Sequence, residues 1–174
     1  MRIISGTLGG RTFNSPKGQQ THPMSEKIRG ALFNVLGEID GLRVLDAYSG
    51  SGAISLESIS RGAASSVAIE KQRLAQTAIS DNIKQLGLGE RIELISTSVE
   101  NWLNGDNMTT FDIIICDPPF DDINTKTIRK IASYLNKGGL MVTTWPAKLP
   151  LIDIGGHKLI KTSSYGDAML VFYR

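Results

Sequence analysis

From residue 42 onward, short apolar runs alternate with amphipathic stretches, and this alternation restricts the chain more than any other feature. "RVLDA", "SSVAIE", "RIELIS", "FDIIICD" and "LMVTTW" have the length and apolar content of buried strands. Between them lie "GAISLESISRG", "KQRLAQTAISDNIKQLGL" and "TKTIRKIASYLNKGG". These are predicted helices, closed by Gly62, Gly87 and Gly138-Gly139. Such alternation demands a mostly parallel sheet with helices on both faces. Right-handed crossovers then reduce the topologies to a doubly wound, Rossmann-like α/β sheet. "HKLIKTSS" and "AMLVFYR" bring the strands to seven. They are joined through "SYGD" as a hairpin, so one late strand should run antiparallel.

The 174 residues are enough for a sizeable core, with 41% hydrophobic and 21% charged residues. No apolar run approaches the roughly 20 residues that span a bilayer. The opening "MRIISGTLGG" has no run of signal-peptide length, so a soluble cytoplasmic protein is expected. Cys116 is the one cysteine, which excludes an internal disulfide and a cysteine-based metal cage. His22 and His157 lack paired-ligand spacing, and no metal is expected.

Residues 1–40 read as an extension to a main unit over 41–174. "RIISG" and "GRTFN" around "TLG" suggest a hairpin, and "SPKGQQTHP" a loop. A helix should begin near Ser25, a suitable N-cap. Ile28, Leu32, Phe33 and Leu36 give it one apolar face, with Lys27 and Arg29 away from that face. In the first 30 residues Arg2, Arg11, Lys17, Lys27 and Arg29 stand against Glu26 alone, although the whole chain carries only +2. A basic patch of this kind suits a polyanion, and it equally describes a solvated face.

In a doubly wound sheet, ligands bind beyond the carboxyl ends of the strands, where strand order reverses. The first strand runs into "LDAYSGSGAIS", where Gly50 and Gly52 let the backbone turn tightly and approach a ligand. The second ends at Glu70, 18 residues past Gly52, where a carboxylate can accept both hydroxyls of a ribose. A nucleotide-like ligand fits, and so does a plain structural turn. The dinucleotide pattern G-x-G-x-x-G fails because Ser55 replaces the third glycine.

The fourth strand stops at Asp117-Pro118-Pro119-Phe120, next to the first strand in such a sheet. An ionised aspartate only accepts hydrogen bonds, and the Pro118 carbonyl is a second acceptor. Together they can hold the two hydrogens of an exocyclic base amine while Phe120 stacks on the ring. Acceptors that pull the N–H bonds out of plane localise the nitrogen lone pair. An in-line methyl donor at the neighbouring site then makes catalysis mainly a matter of positioning and electrostatics. Asp117 needs no raised pKa for this. Cys116 reads as strand filler and Asn82 as a helix contact. Trp102 and Trp145 read as packing, although Trp102 should lie near the edge of the donor site.

Six stretches carry a resemblance to a known family: "RIISGTLGGRTF", "THPMSEKIRGALFNVL", "VLDAYSGSGAISLESISRGA", "VAIEK", "CDPPF" and "YGDAMLVFYR". With them the chain resembles the RsmD-type class I methyltransferases, which use S-adenosylmethionine to methylate the N2 amine of a guanine in 16S ribosomal RNA. The resemblance implies that Asp46, Ser49, Gly50 and Gly52 line the methionine end of the cofactor. It gives Glu70 and Lys71 the ribose, and Ser98 and Val99 the adenine. Asp117, Pro118, Pro119 and Phe120 would grip the target amine. Arg2, Arg11, Thr21, His22, Arg29 and Tyr165 would touch RNA. The implied partner is ribosomal RNA or the small subunit, and the implied state a monomer.

Three positions depart from the family pattern. Ser98 stands where an acid usually meets the adenine amine. His22 stands where an arginine usually precedes the loop proline, and it is mostly neutral at pH 7. Thr143-Thr144-Trp145-Pro146 stands where strand five usually ends near a glutamate. Two other functions remain open on the residues: methylation of adenine N6 or another nucleic acid, and a non-catalytic RNA-binding assembly module. The intact Asp117–Phe120 and glycine pair weigh against the module.

Overall fold

The computed structural model describes residues 1–16, 24–105 and 108–174. Seven strands form one sheet: β1 (Arg43–Ala47), β2 (Ser65–Ile69), β3 (Ile92–Ile95), β4 (Phe111–Cys116), β5 (Leu135–Pro146), β6 (Leu159–Tyr165) and β7 (Ala168–Tyr173). Their order is β3-β2-β1-β4-β5-β7-β6, and β7 runs antiparallel to both its neighbours. β1 is flanked by β2 and β4, so the strand order reverses there.

Among the described residues five helices pack against the sheet: α1 (Glu26–Leu36), α2 (Ala53–Ser60), α3 (Arg73–Leu86), α4 (Val99–Leu103) and α5 (Thr125–Ala132). Strand periodicity sorts the core into two layers. Val44, Ile113 and Val142 face a layer with Leu32, Leu56 and Ile79 of α1, α2 and α3. Leu45, Ile114 and Met141 face Trp102, Ile128 and Ile131 of α4 and α5. No helix among the described residues is long and apolar enough to cross a membrane.

The structure departs from the sequence reading in four places. The N-terminal hairpin reduces to a single antiparallel bridge, Arg2 with Thr12. Gly6 and Gly10 take positive φ there and bend the segment away from a ladder. The helix expected through Gly139 stops at Ala132, and "LNKGG" opens β5 instead. A bulge between the pairs Phe111–Leu135 and Ile113–Leu140 absorbs those residues. Gly139 is required in it, because a Cβ there would lie 2.8 Å from the Asp112 carbonyl oxygen. A short helix, α4, fills the turn after β3.

Arg29 is the fourth. It does not face away from the apolar side of α1; it is fully buried beneath it. Nη2 donates to the Arg2 carbonyl (2.7 Å) and Nε lies 3.6 Å from the Glu57 carboxylate. Burial pulls its pKa below the ordinary arginine value. Glu57 of α2, also buried, accepts from the amides of Ile4 (2.8 Å) and Ser5 (3.1 Å) and from Arg61 Nε (2.7 Å). This buried carboxylate ties the N-terminal segment and α1 to the sheet-covering helix. On the far side of the same segment, Asn82 exchanges two hydrogen bonds with the backbone of Asn14.

Candidate active site

The carboxyl ends of β1, β2 and β4 open into one cavity of about 700 Å³. After β1 come Tyr48, Ser49 and Gly50; after β2, Glu70 and Lys71; after β3, Ser98 and Val99. Asp117 to Phe120 follow β4, and Tyr165 closes β6. Asp46 also faces the cavity from the end of β1. Residues far apart in the chain meet here because three parallel strands finish side by side.

The glycine turn is held by its neighbours. The Ser49 amide donates to the Ile69 carbonyl (2.9 Å) and its hydroxyl to the Asp46 carbonyl (2.7 Å). Gly50 has φ 55, and a Cβ there would meet nothing within 4 Å, so the backbone borders open space. Gly52 does not line the cavity. It precedes α2 at φ 74, and its missing Cβ leaves room for Ile79 at 3.1 Å. Its part is to let loop and α3 pack closely. Tyr48, which the sequence did not reveal, takes φ 65, a costly conformation for a residue other than glycine. Its hydroxyl donates to Glu100 (3.3 Å).

Glu70 accepts from the Gly50 amide through one oxygen and from the Gln72 amide through the other, both at 2.7 Å. Each oxygen keeps a lone pair for a hydroxyl. Ser98 caps α4, accepting from the Asn101 amide (3.1 Å), and retains its own proton to donate. Lys71 forms an exposed ion pair with Asp122 (3.7 Å), linking the loops after β2 and β4.

Asp117 is fixed from two sides. Its amide reaches the Ala47 carbonyl of β1 (3.3 Å), and its carboxylate accepts the Thr144 hydroxyl of β5. Burial pushes its pKa above the ordinary carboxylate value, against the pull of the Thr144 hydrogen bond. Pro118 is buried, whereas Phe120 stands 44% exposed at the mouth.

A family model described as "Conserved hypothetical protein 95" matches residues 1–174. The chain belongs to that family, the RsmD-type methyltransferases. "Putative rRNA methyltransferase YlbH" of Bacillus subtilis is 26% identical over all of this chain and 98% of its own length. "Ribosomal RNA small subunit methyltransferase D" of a Buchnera aphidicola strain is 36% identical over 68% of this chain and 62% of its own length. A solved structure, "Putative methyltransferase yhhF from Escherichia coli", covers 99% of this chain and 96% of its own, with 27% identity and a TM-score of 0.89.

Of the remaining expected residues of this RsmD-type chain, Arg2, Arg11 and Arg29 do not line the cavity. Arg2 is exposed but paired with Glu26 (3.0 Å), and Arg11 is exposed. Arg29, buried as described, has no surface from which to touch RNA. Thr21 and His22 lie outside the described residues. Trp102 does not line the cavity; it packs against Phe111 and Tyr134, with ring centroids 6.4 and 4.8 Å away. Trp145 is buried and donates to the Pro150 carbonyl (3.1 Å).

Proposed function

We propose that this chain transfers a methyl group from S-adenosylmethionine to the exocyclic N2 amine of a guanine in small-subunit ribosomal RNA. The observation that carries the reading is the meeting of the Gly50 turn and the Asp117–Phe120 loop in a single cavity. The family and the names of the relatives support the choice of ribosomal RNA over other nucleic acids.

The residues present fit the cofactor. Glu70 has the free lone pairs that a ribose diol needs, and the backbone at Gly50 borders space rather than a side chain. Ser98 and Val99, which line the cavity, would hold the adenine, and Asp46 the methionine end. When bound, S-adenosylmethionine supplies an electrophilic methyl group. The protein supplies the nucleophile's orientation. Asp117 and the Pro118 carbonyl accept the amine hydrogens, and Phe120 stacks on the base. The methylated amine is acidic and must shed one proton. Burial gives the Asp117 carboxylate a greater appetite for that proton than an exposed aspartate has.

Methylation with radiolabelled cofactor tests this, with naked small-subunit rRNA, assembled small subunits and DNA offered in parallel. Label should enter a guanine N2 position of the rRNA, and Asp117→Ala should abolish it while leaving cofactor affinity within about tenfold. Label confined to DNA, or undiminished turnover by Asp117→Ala, overturns the proposal.

A further inference from the structure

Thr144 lies on β5 at the carboxyl end of the sheet, where Thr143 pairs with Cys116 of β4. One step further along both strands, the Thr144 hydroxyl donates to Oδ1 of Asp117. Thr144 is 6% exposed and borders the same cavity as Asp117 and Phe120. From the geometry we infer that Thr144 is a positioning residue for methyl transfer, one that anchors Oδ1 of Asp117 and so leaves Oδ2 directed at the substrate amine. The inference rests on the reading of Asp117 as the amine acceptor.

A carboxylate on a freely turning χ2 presents its oxygens in many orientations. The Asp117 amide is tied to β1 and its carboxylate to β5, so backbone and side chain are both fixed before any ligand arrives. Preorganised acceptors avoid reorganisation during the reaction. A hydroxyl proton can serve only one acceptor at a time. By giving it to Oδ1, Thr144 favours the ionised carboxylate, which accepts two hydrogens, over the neutral acid, which would present a hydrogen of its own to the amine. Burial pulls the other way. Thr144 thus biases Asp117 toward the protonation state that the grip requires.

The test uses Thr144→Val, which keeps the shape and removes the hydroxyl, and Thr144→Ser, which restores it. Thr144→Val should lower kcat about tenfold at neutral pH, leave the KM for S-adenosylmethionine within about threefold, and move the acid limb of the kcat profile to higher pH. Thr144→Ser should recover both the rate and the profile. Carbon-13 NMR of the side-chain carboxyl of Asp117 should show its titration moved upward in Thr144→Val alone. An active Thr144→Val enzyme with a wild-type pH profile and an unmoved Asp117 titration overturns the role of Thr144. A wild-type protein that methylates no nucleic acid counts against the reaction instead, and the NMR titration then still decides whether Thr144 controls the Asp117 carboxyl.

Discussion

Ser55 donates both its backbone amide (3.1 Å) and its hydroxyl (2.8 Å) to one carboxylate oxygen, Oδ2 of Asp46. The Ser55 hydroxyl accepts in turn from Ser66 (3.0 Å). The residue that breaks the dinucleotide glycine pattern is therefore the one that holds the acid at the end of β1. Burial outweighs these hydrogen bonds and pushes the Asp46 pKa from 3.8 to about 7, with nearby Asp117 adding to the shift.

A raised carboxylate pKa favours folding while the group is neutral. Its stabilising contribution is complete below the unfolded value of 3.8 and is lost as pH rises through about 7. Asp46→Asn cannot ionise, and its amide oxygen can replace Oδ2 as acceptor for Ser55. The ligand-free variant should match the wild type only below about pH 4 and exceed it in thermal stability by a margin that grows up to about pH 7. S-adenosylmethionine is cationic at its sulfonium and amino groups, so the wild type should bind it more weakly at pH 6 than at pH 8. Calorimetry at the two pH values checks this; equal affinities would remove Asp46 from the cofactor site.

Glu70, proposed to hold the ribose, has a structural duty as well. Its two oxygens tie the Gly50 and Gln72 amides, so it also shapes the turn that borders the cavity. Glu70→Ala should weaken S-adenosylmethionine binding by at least about tenfold, since hydrogen bonds to a charged group contribute about 1.5–3 kcal/mol each. Glu70→Gln keeps one acceptor oxygen and should fall between. Calorimetric affinity for both variants within twofold of wild type would refute the ribose assignment.

The sheet was legible because buried parallel strands are continuous apolar runs and their helices end at glycines. The site was legible for a related reason. Asp46, Glu70 and Asp117 each lie at or just past the end of such a run, and the topology brings strand ends together. What stayed hidden depends on contacts across the chain. Nothing local marks Arg29 as buried, because its partners are Glu57, 28 residues later, and the carbonyl of Arg2. Thr144 stood out only as an unexplained departure, since its partner lies on another strand. The short α5 was misjudged because Gly138-Gly139 serves a bulge as readily as a helix end.

The Arg29–Glu57 pair yields a stability prediction. Both side chains are fully buried, and removing one partner of such a pair leaves an uncompensated charge. Glu57→Ala should cost about 3–5 kcal/mol by urea denaturation. It also strips the acceptors of the Ile4 and Ser5 amides, so hydrogen exchange at those two amides should rise more than in the strands. Glu57→Gln, which keeps an acceptor, should cost less. A loss under about 1 kcal/mol for Glu57→Ala would show that the buried ion pair does not hold the N-terminal segment in place.

Substitutions at Phe120 can separate the proposed binding of the base from stability of the fold. At 44% exposure its ring carries little of the core, so Phe120→Ala should leave the thermal midpoint within about 2 °C. Stacking of a base on an aromatic ring contributes about 1–3 kcal/mol, so kcat/KM for the RNA should fall by about fivefold to 150-fold. Phe120→Tyr keeps the π face and should retain most of the activity. Phe120→Leu keeps apolar bulk without that face and should behave like the alanine variant. Steady-state methylation with RNA as the varied substrate distinguishes the two cases: if leucine restores wild-type kcat/KM, the ring serves as a hydrophobic wall and the stacking role is wrong.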